Sequence, residues 1–219
     1  MGAPSLHRLG FGTVFFDADL DGILDVAVAN GHVHRTAMEM YGVPYAQEAQ
    51  LFLGQGGGKF RDISDQCGEY FRQRHVGRGL AWADYDNDGR PDLVVSHTGE
   101  PIALLHNSTE TGNNWIRLEL VGDGKKSNRN AIGAKIEIDA GGKKQTRFIN
   151  GGGSYLSASE RRQLVGLGSA TQADRVAVTW PSGRKQEFKN LSGKQWWKLT
   201  EGEPEPKSVQ PLRPVVRSE

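Results

Sequence analysis

The sequence has a single cysteine, Cys67, so no disulfide can form within the chain. A lone thiol lacks the companions at characteristic spacing that a thiolate metal site uses, and its ordinary role is that of a small buried apolar residue. Long hydrophobic runs are missing too, and none approaches the roughly 20 residues a helical membrane span needs. The opening stretch, Met1-Gly-Ala-Pro-Ser-Leu-His-Arg8, has no apolar signal-peptide core and runs almost directly into a strand-like segment. The expectation is therefore a piece of a longer chain. Helix-favouring runs are few while glycines number 29, a composition that suits β-structure with many tight turns. Net charge is nearly absent at +1, but the balance hides an asymmetry. Residues 1–112 hold 15 acidic and 8 basic side chains, and residues 113–200 hold 7 and 16. Two modules with different surfaces are expected.

What the chain has in quantity is aspartate at one spacing. Asp17-Ala-Asp19-Leu-Asp21-Gly22-Ile23-Leu-Asp25 and Asp84-Tyr-Asp86-Asn-Asp88-Gly89-Arg90-Pro-Asp92 both read D-x-D-x-D-G-x-x-D. Four carboxylates in nine residues repel one another unless a cation sits among them. Hard oxygen ligands on a flexible loop suit calcium better than zinc or copper, and better than magnesium with its stricter octahedral demand. As in an EF-hand loop, positions 1, 3 and 5 are carboxylates, position 6 is glycine and position 7 (Ile23 or Arg90) offers its carbonyl. Position 12 is Val28 or Val95, so the EF-hand's closing glutamate is absent and Asp25 or Asp92 at position 9 takes its place. The expected cofactor is Ca2+. Weak calcium sites fill where the ion is millimolar, which favours an extracellular, periplasmic or cell-surface location.

Both loops lie between short apolar runs of strand length. Gly10–Phe16 and Val26–Asn30 flank the first, and Gly77–Ala83 and Leu93–His97 the second. A further strand follows in each unit, Gln50–Gly54 and Ile102–His106, and Lys59–Ile63 extends the first. Repeated small antiparallel sheets of this size suggest propeller blades. The stretch from His32 to Glu48 is an insertion, and its His32-Val-His34 is either a metal pair or a loop histidine with a backbone contact. From Asn114 the pattern changes to strict alternation, in Trp115–Val121, Ala134–Asp139 and Val176–Trp180, then a Pro181-Ser-Gly183 turn and Lys185–Phe188. Evenly spaced strands with one wet face suggest a β-sandwich. The expected organisation is all-β: two propeller-type blades over 1–112, a β-sandwich-like domain over 113–200, and an extended tail over 201–219, where glutamate and proline dominate.

The two repeats resemble FG-GAP repeats, also called VCBS repeats, the blades of integrin-type propellers. Gly77-Arg-Gly79, Asp84–Gly89, Asn114-Trp115, Asn130–Ala134, Gly153–Ser157, Val165–Gly168 and Val178–Gly183 resemble the ASPIC/UnbV domain, and Asn30–Val33 and Gln50–Phe52 fit the same cartilage acidic protein-like family. The resemblance implies calcium in the acidic loops and a role in adhesion or recognition. Such proteins carry enough blades to close a propeller, whereas this sequence holds two. Open blades leave exposed strand edges, so upstream blades, the insertion, the second domain or another chain are expected to cover them.

No catalytic reading gathers support. Ser154, Ser157 and Ser159 sit in no nucleophile elbow, Gly57-Gly-Lys59 lacks the spacing of a phosphate loop, and the paired carboxylates are committed to cations. The basic residues of the second module are scattered along alternating strands, which reads as a solvated face and not a nucleic-acid surface. Trp196-Trp197 offers either a stacking platform or a core residue. The reading is a non-catalytic, calcium-binding recognition or adhesion module with a protein or acidic glycan partner. The alternative is a carbohydrate-targeting accessory module of a larger secreted enzyme.

Overall fold

Short apolar runs punctuated by glycine become strands throughout the structure, a computed structural model that describes residues 2–210. It is all-β apart from single helical turns. The first half holds β1 (Gly10–Phe16), β2 (Asp25–Asn30), β3 (Gln47–Glu48), β4 (Gln50–Gly54) and β5 (Phe60–Asp62), followed by β6 (Arg74–His75), β7 (Gly77–Ala83), β8 (Asp92–His97) and β9 (Ala103–Leu105). Strands β1-β2-β4-β5 form one antiparallel sheet and β7-β8-β9 another. The insertion ends in β3, which pairs with β6 and ties the first unit to the second. Both sheets contribute to one core that includes Val14, Phe16, Ala27, Leu51, Leu80, Leu93 and Val95. The pairing of β1 with β2 shifts register between Gly10 and Thr13, and that of β7 with β8 between Gly77 and Leu80. The Gly-x-Gly of each unit is thus a bulge. A Cβ on Gly12 would lie 2.5 Å from the Leu80 backbone nitrogen, so only glycine lets the two first strands approach this closely.

The second half holds β10 (Asn114–Val121), β11 (Lys135–Ala140), β12 (Lys143–Phe148), β13 (Gln163–Gly168), β14 (Gln172–Thr179), β15 (Lys185–Ser192), β16 (Gln195–Thr200) and β17 (Lys207–Val209). Two four-stranded sheets result, ordered β13-β10-β16-β17 and β12-β11-β14-β15. Their facing sides share a core of Ile116, Leu118, Ile136, Ile138, Val176, Val178, Trp180 and Leu199. The alternation that marks β10, β11 and β14 in the sequence is this half-buried geometry. Strands β10 and β16 pair in parallel, a long-range contact without a local signal. Trp197 packs against this core. Strand β17 pairs with β16, so the segment expected as an extended tail over 201–219 instead opens with a turn and a sheet strand. The free edge of β16 supplies the partner, and residues 211–219 lie outside the described residues. Cys67 is half-buried, its thiol facing the Ile63 carbonyl at 3.1 Å. Burial pushes that thiol up to about 11, so it is not a thiolate at neutral pH.

The free edges of β1 and β7 are covered from the second half. Thr13 N–H donates to Ser154 Oγ (3.1 Å), Leu80 N–H to Ser157 Oγ (3.2 Å) and Trp82 N–H to Ser159 Oγ (3.1 Å). Ser157 Oγ in turn donates to the Leu80 carbonyl at 2.8 Å, and Glu160 N–H to the Trp82 carbonyl at 3.0 Å. Serine hydroxyls thus take the place of a neighbouring strand along β7. Ser157→Ala should cost about 1–3 kcal/mol, because it strands both polar groups of buried Leu80. Urea unfolding measures this, and a loss below about 0.5 kcal/mol would mean that water serves the edge equally well.

Candidate metal centres

Each acidic loop is a bend closed by its own carboxylates, and the two are built almost bond for bond alike. In the first, Leu20 (φ 61°) and Gly22 (φ 91°) take left-handed backbone, as do Asn87 (φ 62°) and Gly89 (φ 89°) in the second. Asp19 Oδ1 accepts the Asp21 N–H at 3.2 Å, Asp21 Oδ1 the Ile23 N–H at 2.6 Å and Asp17 Oδ2 the Gly22 N–H at 3.0 Å. In the second, Asp86 Oδ1 accepts from Asp88 N–H at 3.2 Å, Asp88 Oδ1 from Arg90 N–H at 2.8 Å and Asp84 Oδ2 from Gly89 N–H at 2.8 Å. The last aspartate clamps the bend to its sheet. Asp25 takes the Ala18 and Gly54 N–H groups at 2.7 and 2.8 Å, and Asp92 those of Tyr85 and Asn107 at 3.2 and 2.8 Å.

These bends gather part of each expected set. Carboxylate oxygens of Asp17, Asp19 and Asp25 lie within 4.8 Å of one another, as do those of Asp84, Asp86 and Asp92. Asp21 and Asp88 stand outside these triads and serve as caps. Asp88 also pairs with Arg90 and forms a further group with Asp86 and His106, whose Nε2 lies 3.2 Å from Asp86 Oδ2. The sequence reading missed His106. Its only signal there was its place at the end of the strand beside the second loop. The Ile23 and Arg90 backbones follow directly on the bends, and the Arg90 side chain turns aside to donate from Nε to the Asn107 carbonyl at 2.6 Å.

Asp17, Asp25, Asp84 and Asp92 are buried, at 1–3% exposure. Burial pushes the Asp17 carboxyl up to about 7; Arg147 pulls it back and Asp25, Asp21 and Asp19 add to the rise. Burial likewise raises Asp25 to about 6, opposed by the Gly54 and Ala18 amides. Asp19 and Asp92 are raised by burial as well. Asp17 Oδ1 is buried and has no hydrogen-bond partner among the described residues.

Both loops dock on the outer face of the β13-β10-β16-β17 sheet. Gly166 N–H donates to Asp17 Oδ2 at 3.2 Å, and Gly168 N–H to the Leu20 carbonyl at 3.0 Å. Arg117, buried, pairs with Asp84 and donates from Nη1 to Asn87 Oδ1 at 2.7 Å. A Cβ on Gly89 would overlap the Trp115 ring, and one on Gly166 would overlap Asp17. The connecting segment adds a strap: Asn107 Nδ2 donates to the Ala18 carbonyl at 2.8 Å, Thr111 Oγ1 and Asn113 Nδ2 to the Asp19 carbonyl at 3.0 and 2.9 Å. The acidic module and the basic module therefore meet at these bends. Elsewhere, His32 Nδ1 accepts the His34 N–H at 3.1 Å, which makes His32 a loop histidine with a backbone contact. Ser154, Ser157 and Ser159 are taken up by strand edges.

Residues 17–95 match the family model described as FG-GAP-like repeat, and residues 124–206 match that described as ASPIC and UnbV. Cartilage acidic protein 1 of Homo sapiens is 33% identical over 123 residues, which is 53% of this chain and 18% of that protein. The Xenopus tropicalis protein of the same name is 35% identical over 114 residues, 49% of this chain and 17% of its own length. The chain thus matches less than a fifth of the length of these relatives. A solved structure of a candidate cell adhesion protein from Bacteroides uniformis is matched over 91% of this chain and 88% of that one, at 11% identity and a TM-score of 0.26. An FG-GAP-like stretch spanning both aspartate bends is thus followed by an ASPIC and UnbV stretch, and over about half of its length the chain is similar to cartilage acidic protein 1.

Proposed function

We propose that the chain is a non-catalytic, calcium-binding recognition or adhesion module of a secreted or surface protein. Its two N-terminal sheets serve as propeller-type blades, and further blades upstream or another chain cover the outer sheet edges. Asp17, Asp19 and Asp25, with Asp21 and the Ile23 carbonyl, hold one ion. Asp84, Asp86 and Asp92, with Asp88 and the Arg90 carbonyl, hold the other. Bound calcium supplies the positive charge that lets these carboxylates stay ionised while buried. The observation that carries the reading is the buried, unpartnered Asp17 Oδ1 within a triad of oxygen donors. An orphaned buried acceptor is costly unless something occupies it, and an all-oxygen donor set suits a hard cation.

The two loops differ in what else neutralises them. At the second, Arg117 and Arg90 both pair with loop carboxylates. At the first, Arg147 acts on Asp17 and Lys143 on Asp19 only through space, with no ion pair to a loop carboxylate among the described residues. The first loop therefore has the larger unmet negative charge and the higher expected affinity.

Asp19→Ala or Asp86→Ala should lower the melting temperature in millimolar calcium by several degrees more than in chelator, because a ligand of the native state stabilises by mass action. Equal losses in both buffers would count against ligation. A pH test follows from Asp17 and Asp25, held at about 7 and about 6 against an ordinary 3.8. A raised carboxyl favours the protonated folded state. Its stabilising contribution is complete below about pH 4 and is lost as pH climbs through 6 to 7. In chelator, the chain should lose stability relative to Asp17→Asn across that window, and calcium should abolish the loss. A gain relative to Asp17→Asn between pH 4 and 7 would contradict the assigned burial.

A further inference from the structure

The outer face of the β13-β10-β16-β17 sheet is only partly covered by the acidic loops. Beyond Trp115, Arg117 and Gly166, which lie under the loops, Glu119 and Trp196 of the same sheet line a cleft of about 650 Å³. Arg129, Asn130, Arg161 and Arg162 line it too. The Trp196 ring has the Arg162 guanidinium 4.6 Å from its centroid and that of Arg117 at 5.6 Å. Arg162 also pairs with Glu160, so its charge is already satisfied. Arg129 and Arg161 differ, since both are exposed and neither enters an ion pair among the described residues. Two uncompensated guanidiniums lining one cleft are a natural receptor for a carboxylate, which they can grip through paired N–H donors.

The rest of the lining narrows the class. A simple inorganic anion needs donors alone, yet this cleft also presents the Glu119 carboxylate and the Asn130 amide. A nucleic-acid strand, which carries a charge at every nucleotide, would meet Glu119 as a repulsive charge. It would also find no free aromatic platform, because arginines attend the Trp196 ring. A sugar acid needs what is present, donors for its carboxylate and both donors and acceptors for its hydroxyls. The cleft volume lies within the range of small-ligand sites. We infer that this cleft binds a carboxylate-bearing saccharide, its carboxylate held by Arg129 and Arg161 and its hydroxyls by Asn130 and Glu119. The inference rests on the recognition reading above but not on calcium.

The test is calorimetric titration of the 219-residue chain with an oligoglucuronate tetrasaccharide, with neutral cellotetraose, and with a thymidine oligonucleotide of equal charge. The acidic sugar should bind at least about tenfold more tightly than the other two. Arg129→Gln/Arg161→Gln should weaken it by at least about tenfold, and each single change by less. Asn130→Ala, which removes no charge, should also weaken it. Calcium titration of the same variants should be unchanged, which shows that they are folded and separates this site from the aspartate loops. Absence of binding by the oligoglucuronate, binding unaffected by the double change, or equal binding of the oligonucleotide would each overturn the inference. Loss of calcium binding in Asp19→Ala with sugar binding intact would leave it standing.

Discussion

Like charge is buried twice in this fold, at two bends where the backbone must reverse between strands. The first and last aspartates of each bend are almost fully enclosed, and an ionised carboxylate in such a place needs compensation. Each carboxylate accepts backbone N–H groups from its own loop, and the last aspartate of each bend also reaches out of it, Asp25 to Gly54 at the end of β4 and Asp92 to Asn107 just past β9. Those bonds shape the bends but do not remove the charge. A buried arginine from the second half answers Asp84 directly, whereas Asp17 keeps an oxygen without a hydrogen-bond partner among the described residues. The proposed cations complete a compensation that the protein supplies only in part.

The same bends are the joint between the two halves. Glycines at 89 and 166 leave room for close approach at the contact, and three side chains of the connecting segment bind loop carbonyls. Anything that stiffens the bends therefore stiffens the orientation of the modules, which is what a recognition scaffold needs. Serine hydroxyls from the second half finish the free edge of β7. In this way the ASPIC and UnbV segment closes what two sheets alone would leave open.

Much of this was legible in the sequence because periodicity reports burial. Strands β1, β2, β7 and β8 follow from apolar runs beside the aspartates, and β10, β11 and β14 from alternation. Strand β12 was not foreseen, since Lys143–Phe148 is an exposed edge with almost no apolar signal. Strand β13 is buried on both faces, one by the sandwich core and the other by the first acidic loop, so Gln163–Gly168 does not alternate. The parallel pairing of β10 with β16 and the strand at Lys207–Val209 depend on long-range partners. At the site, the aspartate spacing marked the residues, but not the division of labour that makes Asp21 and Asp88 caps and brings His106 alongside. The charge asymmetry along the chain was readable, and its meaning as a docking contact was not, because that requires knowing which faces meet.

Everything proposed for these bends requires that they take up ions. Calorimetric titration of calcium into the metal-free chain should reveal two sites per chain of unequal affinity, with the tighter one lost in Asp19→Ala. A chain that releases or absorbs no binding heat at any calcium concentration up to several millimolar, and whose melting temperature does not move, would contradict it.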